Sequence, residues 1–187
     1  MSRSEQILAF WFGAPGDPDH GRPRKIWFEK DAALDAEVRR CFLADYKGAA
    51  AGALDHWQET PRGALALIVL LDQFPRNMFR DDPRAYASDA KARAVARRAI
   101  DAGFDRALPP IERRFLYLPF EHSEDLADQR RSVALFRDLG DKASIEWATR
   151  HLEIVERFGR FPHRNAALGR ETTPEEAAFL KEPDSSF

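Results

Sequence analysis

The sequence predicts an all-α fold of about eight helices, arranged as antiparallel hairpins stacked in a right-handed array within a single domain, residues 1–187. Three observations lead there. Apolar residues recur at three- and four-residue spacing through most of the chain, which is the pattern of a helix with one buried face. Helix punctuation bounds each such stretch: Ser, Thr or Asp before it, proline at its first position, glycine or proline after it. No second strand-like segment exists to pair with the one apolar run that could be extended.

The elements follow in order. Ser2 with Glu5 makes a capping box and Gly13 a stop, so 3–12 reads as a short helix. Residues 13–25, with Pro15, Pro18, Pro23 and three glycines, form an extended loop. Asp31 caps a helix over about 32–50 whose stripe is Leu34, Val38, Cys41, Phe42, Tyr46 and Ala49. Thr60-Pro61 opens the next. The run Ala64 to Leu71 is apolar on every face and is either a buried strand or the most buried helix; without a pairing strand it is a helix, ended by Pro75. Ser88 caps a helix to Gly103. Pro109-Pro110 opens another that ends near Pro119, and Ser123 opens one to Gly140. A helix over 142–158 presents Ile145, Ala148, Leu152, Val155 and Phe158. Thr173-Pro174-Glu175-Glu176 combines N-cap, proline and capping box for a short terminal helix.

A faint repeat sets the arrangement. Asp101-Ala102-Gly103 and Asp138-Leu139-Gly140 both close helices and stand 37 residues apart, near the period of helix-hairpin arrays, roughly 34 residues. This favours stacked hairpins over a closed four-helix bundle.

Composition narrows the function classes. At 44% hydrophobic and 32% charged, the chain is globular with a charged surface. A net charge of −2 argues against nucleic-acid binding through a broad basic face. There are 23 Arg against 6 Lys; Arg suits bidentate carboxylate or phosphate contacts, and codon bias gives the same ratio. Cys41 is the one cysteine, so no internal disulfide forms; on its apolar stripe it reads as a small core residue rather than a nucleophile. The apolar run Ile7 to Phe12 is too short for a signal segment or membrane span. The expected location is the cytoplasm, with neither membrane nor nucleic acid as partner.

Three polar clusters interrupt the helices. Asp72, Gln73, Arg76 and Asn77 follow the apolar run, at a helix C-terminus where a lone carboxylate is unfavourable. Arg76 is the expected partner of Asp72, giving either a salt-bridged stop or an Asp and Arg at a pocket rim. The second cluster holds Glu121, His122, Ser123, Glu124 and Asp125; its histidine caps or packs, or else acts as a general base flanked by carboxylates. In the third, His151 borders the core, and Arg157 to Asn165 with Arg170 alternate aromatics and proline with cations. Such a loop either staples itself to the surface through Phe158 and Phe161 or holds a carboxylate or phosphate. No dinucleotide fingerprint, Walker loop, HExxH, paired CxxC or GxSxG elbow occurs. The five histidines, at 20, 56, 122, 151 and 163, lack metal-ligand spacing, so neither metal nor cofactor is expected.

The stretches Leu71 to Asn77, Tyr117 to Glu124 and Phe158 to Asn165, with Ile7-Leu8-x-Phe10-Trp11-Phe12-Gly13 and Lys25-x-Trp27-Phe28, resemble the signature segments of the bacterial family called domain of unknown function 924. The resemblance covers essentially the whole chain. It implies a tetratricopeptide-like helical fold and brings no reaction or ligand.

Two functions remain from different classes. In one, the clusters meet as a compact site for a small anionic ligand. Asp72, Arg76, Asn77, Arg160, Arg164 and Asn165 would then bind it, with His122, His151, His163, Glu121 and Glu124 as acid/base candidates. In the other, the fold is a tetratricopeptide-like scaffold for a protein partner and the motifs are structural locks. The bunching of polar residues at helix interruptions favours the compact site. No reaction follows from the sequence.

Overall fold

The computed structural model describes all residues except Asp19, Phe28, Asp184, Ser186 and Phe187; the Phe28 of the family resemblance thus lies outside the described residues. Among the described residues there are helices and no strands, as the sequence predicts. We label the helices α1 (Arg3–Phe12), α2 (Ala32–Ala51), α3, α4 (Asp89–Asp101), α5 (Pro110–Glu121), α6 (Leu126–Leu139), α7 (Lys142–Phe158) and α8 (Pro174–Phe179). Helix α3 is one unbroken rod of three parts: an α-helical stretch Pro61–Ile68, a π-helical turn Val69–Gln73, and an α-helical end Phe74–Met78.

Local sequence accounts for most of these boundaries. The Ser2 hydroxyl accepts from the Glu5 N–H, Asp31 from the N–H groups of Ala33 and Leu34, and Asp125 from those of Ala127 and Asp128. Thr173 and Glu176 form the full reciprocal capping box. Gly103 and Gly140, the two ends of the faint repeat, are both left-handed, at φ +73 and +78.

Four expectations are corrected. The Ser2–Glu5 box is one-sided, because the Glu5 carboxylate is taken by Arg62. Pro75 does not end α3, which runs on to Met78, whereas α5 does end near Pro119, at Glu121. Ser88 does not cap α4; its hydroxyl donates to the Leu71 carbonyl at 2.6 Å. Ser123 does not open α6, which Asp125 caps instead; the Ser123 hydroxyl donates to Asp128. For Glu5 and Ser88 a distant partner outcompetes the local one.

The chain groups into two compact units, Met1–Arg80 with Arg84–Pro119, and Asp81–Pro83 with Phe120–Phe187. The first is built around α3, which packs against α1, α2 and α4. Residues 65–71 are wholly buried, as an apolar run on every face requires. Aromatic rings extend this core: Trp11 and Phe12 meet Phe115 edge-on, and Phe42 lies 4.8 Å from Phe74. Arg62 ties α3 to α1 through Glu5 and to α5 through Glu112. The second unit is the α6–α7 hairpin, with a core of Ile154, Val155, Phe161 and Phe179.

One glycine is fixed by packing rather than by dihedral freedom. A Cβ on Gly63, in the first turn of α3, would lie 2.2 Å from the Trp57 carbonyl oxygen and 2.8 Å from the Thr60 hydroxyl. Gly63→Ala must therefore displace backbone. It is expected to destabilise the protein by about 1–3 kcal/mol, measured by urea unfolding; a neutral substitution would contradict the close approach.

Candidate functional site

The first polar cluster belongs to the first unit. Asp72 lies in the π-helical turn and is wholly buried. Its carboxylate accepts from the Gln73 amide at 2.6 Å and stands 3.3 Å from Arg76 Nη1. Arg76 also makes a bidentate contact with Asp89, at 2.9 and 3.0 Å. Burial acts to lower the Arg76 pKa, but the charges of Asp72 and Asp89 outweigh it and hold the guanidinium above its ordinary value. Asn77 donates to Asp35, which also receives Arg80. The expected Asp72–Arg76 pair is thus present, as an i,i+4 contact along a continuous helix rather than across a proline turn. Asp89 was not foreseen; nothing local links position 76 to position 89.

The second and third clusters both belong to the second unit, and their side chains meet around one ring. Phe161, wholly buried, lies in the loop after α7 and precedes its 3-10 turn. The Arg164 guanidinium lies 4.5 Å from its centroid, the His151 ring 5.5 Å and the His163 ring 5.7 Å. His122 stands 6.5 Å from His151, and Glu121 Oε1 lies 3.8 Å from His151 Nδ1. Glu121, His151 and Arg164 are buried, while His122 and His163 are partly exposed. Among the described residues, no three His, Cys, Asp or Glu are disposed to hold a metal ion.

Each piece is held by identifiable bonds. The Gln129 amide, from α6, donates to the Glu121 and Ser123 carbonyls and so fixes the turn that carries His122. Glu124 accepts the Phe161 N–H at 2.8 Å and both terminal nitrogens of Arg170, and Arg170 in turn donates to the Phe161 carbonyl. Burial pushes the Glu124 pKa up, but these donors prevail and hold it below its ordinary value. Glu176 gathers Arg160, Asn165 and the Thr173 N–H. The Arg160 hydrogen bonds are the largest influence on Glu176 and, against its desolvation, help bring its pKa down to about 2. Glu124, Arg160 and Asn165, expected at the ligand, therefore position the loop. Sequence reasoning saw Glu176 only as a capping residue; its further role depends on contacts that spacing does not show.

His151 is the chemically distinctive group. Burial, first of all, lowers its pKa to about 3; the bond to the Trp147 carbonyl opposes this, and the nearby charges of His122, Arg164 and His163 add to it. The imidazole is neutral at physiological pH. In the unfolded chain it titrates near 6.5, so on acidification the unfolded state takes up the proton first. The stability linked to His151 is therefore complete above about pH 6.5 and is lost as pH falls toward 3. Between pH 6.5 and 5 the loss should approach about 2 kcal/mol, read from urea midpoints. His151→Gln should flatten that slope; an unchanged slope would refute the assignment. The Glu176 contribution disappears in a lower window that overlaps the end of this one, from about pH 4.5 down to 2.

Comparison with known proteins agrees with this architecture. A solved structure of a protein of unknown function from Agrobacterium tumefaciens is 46% identical, with a TM-score of 0.86 over 95% of this chain and 96% of that one. No functionally curated protein matches. The family model described as "Bacterial protein of unknown function (DUF924)" matches residues 7–184, and with helices, motifs and structural neighbour in agreement, the chain belongs to that family.

Proposed function

We propose that the second unit carries a compact binding site for a small anionic ligand, formed by His122, His151, His163, Glu121 and Arg164. The observation that carries this reading is their convergence. Three separate stretches of chain bring five ionisable side chains to Phe161 and His151, with two partly exposed histidines beside three buried groups. Convergent polar groups on an aromatic wall are the usual make-up of a small-molecule site. Arg164 supplies cationic donors, His122 and His163 can add charge, and neutral His151 offers a hydrogen-bond acceptor. Glu124, Arg160 and Asn165 take positioning roles, and Asp72, Arg76 and Asn77 belong to the first unit and have no part in this site.

A second reading has its own support. The Arg170–Glu124 and Arg160–Glu176 pairs suit structural locks in a tetratricopeptide-like scaffold for a protein partner, and Trp147 on α7 is an exposed aromatic such a partner could cover. Under either reading we place the protein in the cytoplasm. No helix among the described residues is long and apolar enough to cross a membrane, and Cys41 leaves no internal disulfide to form.

A thermal-shift screen with simple carboxylates, inorganic phosphate and a phosphate monoester separates the two. A ligand at about 100 times its Kd adds about 2.7 kcal/mol, a rise of several degrees in Tm for a chain this size. The expected result is such a rise with at least one class, reduced in His122→Asn and His163→Asn. If no anion shifts Tm, and both variants lose stability without any ligand effect, the lock reading prevails.

A further inference from the structure

Helix α7 has two faces of different character. Ser144, Ala148, His151, Ile154 and Val155 are buried and make its core face. On its solvent side runs an open groove of about 480 Å³, lined by Ile145, Glu146, Trp147, Thr149, Arg150 and Glu153. Trp147 is 40% exposed, so much of a large indole surface stands in water, where a partner would gain by covering it. Glu146 and Glu153 are exposed too and, among the described residues, make no ion pair or side-chain hydrogen bond. Helical spacing offers Arg150 to both, four residues after one and three before the other. Arg150 donates instead to the Pro183 carbonyl at 2.9 Å. The groove thus keeps a net negative charge, whereas Glu124 and Glu176 of the same unit gather arginines.

We propose that this groove docks a basic segment of a partner protein, whose arginine or lysine side chains lie along Trp147 and reach Glu146 and Glu153. Of the aromatic rings, indole attracts a cation over its face most strongly, and a long basic side chain adds methylenes that cover the ring. The carboxylates then accept from the charged head, in charge-assisted hydrogen bonds. Glu146 and Glu153 stand two helical turns apart, about 10 Å along the axis, a separation that suits two basic side chains of one segment. A second copy of the same face would bring its own net negative charge, and like charges oppose such a pairing. His151 lies on the core face of α7, so this surface is separate from the anion site and stands whether or not that site binds a ligand.

Trp147 supplies the readout. In an isotope-labelled sample its indole N–H resonance is identified by its loss in Trp147→Phe. Titration with a capped Arg-Ala-Ala-Arg-Ala-Ala-Arg peptide should shift that resonance to saturation, and the same peptide with glutamate for arginine should leave it in place. Combining Glu146→Gln with Glu153→Gln should weaken the Kd about fivefold, as expected for two exposed ion pairs. Both positions are exposed, and unchanged backbone resonances elsewhere verify that the double variant is folded. An unmoved indole resonance, an equal shift with the acidic peptide, or an unchanged Kd in the double variant each overturns the proposal. So does an indole resonance that moves on dilution of the protein alone, which gives the face to a second copy.

Discussion

The fold of the first unit turns on a missing hydrogen-bond donor. Pro75 has no N–H, so the carbonyl four residues earlier, that of Leu71, loses its helical partner. Leu71 is wholly buried, so no water replaces that bond, and an unpaired buried carbonyl costs about 1–3 kcal/mol. The structure meets the problem on two sides. The π-helical turn Val69–Gln73 widens the helix just where the proline ring would crowd it. The Ser88 hydroxyl then donates to the Leu71 carbonyl, and Arg76 donates to that of Asp72. Arg76 also neutralises the buried Asp72 carboxylate and is itself clamped by Asp89. The polar residues after the apolar run are thus the means by which a wholly buried helix passes through a proline.

The second unit solves a related problem in its loop. Residues 159–173 contain only a short 3-10 turn, Pro162–Arg164, so little of their backbone is paired within regular structure. Two carboxylates take over. Glu176 receives Arg160, Asn165 and the Thr173 N–H. Glu124 and Arg170 grip Phe161 from its N–H and its carbonyl together. Phe161 is thereby held through its backbone on both sides, and its ring becomes a fixed wall for His151, His163 and Arg164. The arrangement is a pre-organised one, in which outer ion pairs locate the groups that could meet a ligand.

Much of this was legible in the sequence, because helix periodicity and caps are local. The bounds of α1, α2 and α8 follow from Ser2, Asp31 and Thr173 within a residue or so, and the apolar stripe over 142–158 gives α7. The failures share one cause. Pro75, Ser88 and Ser123 depart from their local habits: the serines bond the Leu71 carbonyl and Asp128, and α3 runs on through its proline. The clusters themselves were visible, since ionisable residues beside apolar runs stand out. Their pairings were not: Arg76 to Asp89, Glu124 to Arg170 and Arg160 to Glu176 span 13, 46 and 16 residues. Helical spacing carries no information about them.

Electrostatics separates the carboxylates that hold the second unit together from the histidine beside them. Glu124 and Glu176 have lowered pKa values because partners favour their charged forms. Such ionisation strengthens the fold above the carboxylate range, which is what a lock should do. His151 is the opposite case. Its pKa is lowered because its surroundings disfavour charge, so the ring stays neutral. An ionisable ring kept neutral beside a buried carboxylate and a buried guanidinium weakens the fold on acidification without a matching gain above it. The carboxylate pairs account for the shape of the loop, and the neutral histidine packs on the Phe161 ring that the loop holds in place.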